Sequence, residues 1–275
     1  MRRRRLALFS FLVLLSSALA GVSSATNPRD QSKRKRPYFV GNFERCDFSQ
    51  WQTQGPSRSF TIIRAGAAEG KCAGALTVGA WALNGLVNAR SDGAALYLRP
   101  APYGRVGKTV WQHFSVKFAP GFRSTEGVWN WFGEWHNDRG YERFVGSRLK
   151  AEFPNLCWTI RTKNGRARLA MRIIGGDSTA PTMRWVNGPR LRIEHWYDFR
   201  VRAVWSPSAK VGRVDWWLDG KRLFSRHLST LYTRPDGTVS SVHFVLDHYR
   251  LHANWESTIL FDGVRLGPTI SSVRY

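Results

Sequence analysis

Apolar and polar residues alternate with a period of two through most of the chain, and the helical period is almost absent. Residues 197–205 place Tyr197, Phe199, Val201, Ala203 and Trp205 on one face and Asp198, Arg200 and Arg202 on the other. That is the pattern of a half-buried antiparallel strand. Residues 166–173 repeat it, with Ala167, Leu169, Met171 and Ile173 inward and Arg166, Arg168 and Arg172 outward. Further strands are predicted near 58–64, 74–81, 109–118, 128–136, 156–162, 213–218, 242–250 and 257–266. Lys163-Asn164-Gly165, Leu218-Asp219-Gly220-Lys221 and Pro235-Asp236-Gly237 supply the residues that hairpins and tight loops need. No internal repeat and no change of composition follows residue 38. So many short strands with so little helix imply two packed sheets, and the prediction is an all-β fold: a single jelly-roll sandwich of two antiparallel sheets over residues 38–275.

Composition agrees with a folded chain and adds a strong charge. Of 275 residues, 43% are hydrophobic and 13 are Trp, enough to bury a real core and to exclude a disordered protein. The formal net charge is +23. Arg2 to Arg5 carry four of these charges, ahead of the apolar run Leu6–Leu15 and the small-residue stretch Ala18-Leu19-Ala20. Residues 1–20 therefore read as an export signal, too short in its apolar part to span a bilayer. Residues 21–37 read as a basic, flexible linker, and about +15 is left on residues 38–275. A body this basic attracts polyanions, whether nucleic acid, anionic lipid or acidic polysaccharide. Charge alone does not choose among them; a secreted chain, extracellular or periplasmic, with no transmembrane segment once the leader is removed is less expected to meet nucleic acid. Export also makes a Cys46–Cys72 disulfide plausible and leaves Cys157, in an apolar run, as a buried thiol.

Three segments carry chemistry. In Val128–His136 alternation puts Asn130, Phe132, Glu134 and His136 on one face and Trp129, Trp131 and Trp135 on the other, the tryptophans forming the core. The open face then offers an imidazole and a carboxylate two residues apart, although a His136 that merely caps an edge hydrogen bond would fit the pattern equally well. In His243–Arg250 the residues His243, Val245, Asp247 and Tyr249 share one side while Phe244 and Leu246 face the core; taken alone, Tyr249 would suit stacking on a sugar. In Arg90-Ser91-Asp92 the guanidinium of Arg90 can hold a carboxylate with two parallel hydrogen bonds. The carboxylate cluster of retaining glucanases, a Gly-x-Ser-x-Gly elbow, a His-Glu-x-x-His helix, a phosphate loop and a Cys-rich zinc pattern are all missing from the sequence.

In chain order these segments resemble the motifs of the jelly-roll polysaccharide lyases, which include alginate lyases, glucuronan lyases and heparin lyase I. The likeness runs over nearly all of 38–267 and implies a concanavalin A-like sandwich. Arg90-Ser91-Asp92 is similar to the family's Arg-x-Glu, Glu134-Trp135-His136 to Gln-x-His, and His243–Tyr249 to Tyr-Phe-Lys-x-Gly-x-Tyr. Asn42-Phe43-Glu44, Phe48-Ser49-Gln50-Trp51, Trp217–Lys221 and Phe261–Arg265 are further family-like marks. The implied activity is β-elimination on a uronic-acid polysaccharide by a monomer that requires no cofactor. Arg90 would pair with the C6 carboxylate, His136 would take the C5 proton, and Tyr249 would protonate O4 or act as the base itself. Asn130, Glu134, His243, Asp247, Arg166, Arg168 and Arg172 would bind substrate. The chain departs from the pattern at Glu134, where the family's Gln donates to the substrate carboxylate, and at Val245 and Asp247, where it has Lys and Gly. A charged Glu134 would repel that carboxylate unless protonated. A sandwich that binds anionic glycans without cleaving them is the alternative. The resemblance also allows a structural calcium ion where Glu44 and Asp262 would come together, as in related sandwiches.

Overall fold

The computed structural model describes residues 35–80, 91–98, 103–138 and 153–274. The expected leader, most of the expected linker and Arg90 lie outside the described residues. Alternating sequence becomes strand throughout. One sheet, the back sheet, runs β13 (Lys221–His227), β12 (Arg213–Leu218), β11 (Trp196–Val204), β6 (Thr109–Phe118), β16 (Ser257–Gly267), β4 (Ala73–Val78) and β3 (Phe60–Ile63), with β1 (Phe39–Gly41) also on β16. The other, the front sheet, runs β10 (Thr182–Arg190), β9 (Arg166–Asp177), β8 (Leu156–Lys163), β7 (Asn130–Asn137), β15 (Val242–Leu251), β5 (Ser91–Leu98) and β2 (Gln52–Gln54). The short β14 (Tyr232–Thr233) lies parallel to β9; every other pairing is antiparallel. This is the expected jelly-roll sandwich of two sheets. The β8–β9 and β12–β13 hairpins turn on Asn164-Gly165 and Asp219-Gly220, all four at positive φ, as two-residue turns between right-twisted strands require.

Between the sheets lies an aromatic core in which Phe114 stacks on Phe199 at 4.8 Å and meets Trp158 edge-on at 5.2 Å, with Trp135, Trp216 and Phe244 around them. Two polar side chains of β15 cross this layer and find partners at their ends. His248 bonds the Leu76 carbonyl and Ser257, and Arg250 donates to Ser257 and to the Gly79 and Trp255 carbonyls. Burial, with Arg250 beside it, depresses the His248 imidazole to about 3, so it stays neutral. Arg250 lies opposite Asp92, which is itself buried and paired with His252 at 2.7 Å.

The expected disulfide joins Cys46 to Cys72 across 26 residues. Closing a loop of that length constrains the unfolded chain by roughly 3 kcal/mol. At about 2–4 °C per kcal/mol for a domain of this size, reduction should lower the melting temperature by roughly 6–12 °C; a melt with reductant that matches one without would show that the bridge carries no stability.

Glu44 and Asp262 sit close to where the first and last strands pair, but their oxygens serve the 68–72 loop. Glu44 accepts from the Lys71 and Cys72 amides, and Asp262 from the amides of Ala68, Glu69 and Gly263. Among the described residues no group of three or more His, Cys, Asp or Glu is arranged to hold a metal ion. The carboxylates therefore have a structural use that needs no calcium.

Candidate active site

The chemistry of the front sheet is set by one irregularity. Along β7, Trp131 pairs with Thr159 and Gly133 with Trp158, two residues of β7 against one of β8. This β-bulge turns Phe132 and Gly133 both toward the core and reverses the alternation on either side of it. Gly133 fits the bulge because a Cβ there would lie 3.3 Å from Trp158 and 3.5 Å from Leu246. The reading of the tryptophans as one core face is corrected accordingly. Trp135 is core, but Trp131 and Trp129 pack with Tyr249 and Cys157 on the outer face, and Phe132 is core. Asn130 faces inward, paired across the strands with Ile160 and Arg250, and donates to Ser124. It does not join the other candidates. Glu134 and His136 do stand on the outer face.

Cross-strand register collects the outer-face groups into a trough. Glu134 lies between Cys157 of β8 and Val245 of β15, and Cys157 lies opposite Arg172 of β9. The Arg172 guanidinium rests 4.7 Å from the Trp131 ring, 5.2 Å from Phe153 and 5.8 Å from Trp185. Its Nε and Nη2, one oxygen of Glu134 and one of Asp247 are buried without a hydrogen-bond partner among the described residues. Polar groups left so are costly, and such a cluster needs an explanation beyond the fold.

Burial is the main influence on all the acids here. It pushes Glu134 up to about 8, against the pull of Arg172. Asp247 is pushed well above its ordinary range, first by burial and then by the neighbouring Glu134. The Cys157 thiol is held up at about 12, mainly by burial, which makes it inert. At neutral pH Glu134 thus keeps its proton and offers an O–H donor where the family pattern has an amide N–H. The repulsion expected of a charged Glu134 is removed by the site itself.

His136 borders this centre, with Nε2 4.0 Å from the nearer Glu134 oxygen. Its Nδ1 lies 2.9 Å from the Asn137 carbonyl, which can only accept, so Nδ1 carries the hydrogen and Nε2 holds the lone pair of the neutral ring. His243 lies opposite His136, ring centroids 5.5 Å apart, and Tyr97 of β5 lies 5.9 Å beyond it. Tyr249 instead pairs with Trp131, its ring 4.5 Å from Trp129 and 5.7 Å from Trp131. His136 and Tyr249 therefore share the trough but not one end of it: six residues of β15, five of β7 and about four of β8 separate their registers, because both ladders carry register shifts, so roughly 13–20 Å lies between the two positions at strand rise. Arg166 and Arg168 continue the outer face of β9 beyond Ala170, exposed to solvent.

Tyr97, Phe153 and Trp185 enter the site without having been singled out in the sequence. A signal was present for Trp185, which alternates with Met183 and Asn187, but the Gly-Pro pair that follows it masked the strand.

The family model described as polysaccharide lyase matches residues 43–265. The fold is similar to that of an endo-β-1,4-glucuronan lyase from the fungus Trichoderma reesei, with a TM-score of 0.67 and 14% identity over 86% of this chain and 98% of that one. It is also similar to an alginate lyase from Pseudomonas aeruginosa, with a TM-score of 0.53 and 12% identity over 81% of this chain and 100% of that one. The alginate lyase Aly36B, solved as a double mutant in complex with an alginate trisaccharide, gives 0.53 and 13% over 84% and 95%. No curated protein sequence matches the chain.

Proposed function

The chain belongs to the polysaccharide lyase family, and from that premise we propose that it is a secreted enzyme that cleaves a uronic-acid polysaccharide by β-elimination. One observation carries the reading: a buried, proton-bearing Glu134 and a ring-stacked Arg172 with uncommitted N–H groups lie side by side at the floor of the trough, next to the lone pair of His136. A uronate carboxylate placed there receives a guanidinium and a neutral O–H donor. Both gain strength as charge moves onto that carboxylate, so both favour the transition state over the bound substrate.

His136 Nε2 then takes the C5 proton. The C5–H electron pair becomes the C4–C5 double bond, the C4–O4 bond breaks, and the departing oxygen receives a proton from the imidazolium when both lie on the same face of the ring. Trp129, packed on the buried rings of Tyr249 and Trp131, offers an aromatic surface for a neighbouring sugar. Secretion is supported by the leader-like first twenty residues and by the disulfide, which suits an oxidising compartment. Among the described residues no helix is long and apolar enough to cross a membrane.

The test is a panel of glucuronan, alginate and heparin-type glycans, followed by the ultraviolet absorbance of the unsaturated product. Rising absorbance on at least one is expected. Flat absorbance on all, with salt-sensitive binding retained, would replace cleavage by recognition alone.

A further inference from the structure

At the turn end of the β8–β9 hairpin, beyond the trough, Arg161 lies directly opposite Arg168 and Lys163 directly opposite Arg166. Two successive like-charge pairs facing each other across a ladder destabilise a hairpin. All four side chains are exposed on the same outer face as Arg172, and none is ion-paired among the described residues. They line a hollow of about 730 Å³ whose one acidic side chain among the described residues, Glu126, is engaged with the Asn164 amide. Arg161 lies over the Trp185 ring at 4.6 Å, the same indole that borders Arg172, so the hollow adjoins the trough.

Resting on the lyase reading, we propose that this hollow is a second anion site of the same substrate cleft, and that it selects a glycan carrying sulfate in addition to uronate carboxylate. Four cations gathered on adjacent cross-strand positions exceed what one carboxylate per sugar balances, whereas a sulfated segment brings several negative groups into the same space. The offset fixes the arrangement: Arg168 is four residues along β9 from Arg172, roughly 13 Å, so the sulfated segment lies a few sugars from the reacting bond.

The experiment compares one heparin-type glycan before and after chemical desulfation. Binding is measured by titration at several salt concentrations, and cleavage is measured separately by absorbance. The wild type should bind the sulfated form at least tenfold more tightly and with the steeper salt dependence. Arg166→Glu with Arg168→Glu should erase that difference. This double variant turns both cross-strand pairs into opposite charges, so its melting temperature should not fall and lost binding would not reflect unfolding. Equal binding of the two forms by the wild type, a preference that survives in the double variant, or tighter binding of an oligonucleotide of matched charge would each overturn the proposal. Sulfate-selective binding together with flat absorbance on every glycan of the panel would sink the lyase reading and leave this site standing; absorbance without sulfate selectivity would do the reverse.

Discussion

Cleavage should fall as pH rises through about 8, and Glu134→Gln should remove that fall. Burial holds the Glu134 carboxyl up at about 8, so below that value it is a neutral donor and above it an anion facing the substrate's own carboxylate. The amide of Gln keeps a donor at every pH and cannot ionise, so the variant should retain kcat within about tenfold at pH 7 and exceed the wild type at pH 9. Glu134→Ala, which removes the donor, should cost roughly 10²–10³ in kcat, the usual loss for one preorganised donor to a developing oxyanion. A stability measurement checks the same assignment without substrate. Glu134 has a folded-state value raised above its unfolded one, so between about 4.5 and about 8 the folded chain holds a proton that the unfolded chain has released. Its contribution to stability falls as pH rises across that window and is lost above it. Glu134→Gln should therefore raise the melting temperature at pH 9 by several degrees more than at pH 5. Equal shifts at both pH values would mean that Glu134 is ionised throughout.

Much of this architecture was legible because a half-buried strand writes its burial into alternate residues, as β9 and β11 do. The strands that escaped notice lack that signature for identifiable reasons. β5 buries Gly93, Ala94 and Ala95, small residues with little strand preference, and β10 carries Gly188-Pro189 and a mostly polar edge. β13 lies at a sheet margin where only Leu223 and Phe224 pack inward. In the site, alternation puts Glu134, Trp135 and His136 on their observed faces but inverts Trp129, Asn130, Trp131 and Phe132, because the bulge at Phe132–Gly133 shifts parity for the residues before it. The single clue was Gly133 inside an otherwise bulky strand. Protonation of Glu134 was beyond any sequence pattern. It depends on how much solvent the assembled trough excludes, against the pull of Arg172 from a strand distant in the chain.

The same register sharpens the division of labour between His136 and Tyr249. A base and an acid that serve one elimination must both reach the C4–C5 bond of a single sugar, yet their positions differ by six residues of β15. His136 lies 4.0 Å from Glu134, and a backbone carbonyl orients its ring to present a lone pair. His136→Ala should therefore lower kcat by about 10³ or more with little change in KM, within the range for loss of a general base. Tyr249→Phe, which keeps the ring against Trp129 and Trp131, should leave kcat within about tenfold, and Tyr249→Ala should act mainly by raising KM, as removal of a stacking surface worth about 1 kcal/mol would. The opposite split, with Tyr249→Phe abolishing turnover and His136→Ala sparing it, would move the reacting bond to the aromatic end of the trough. Asp247, which lies between the two ends and whose carboxyl burial also raises well above its ordinary range, would then be the candidate to replace Glu134 beside the substrate carboxylate.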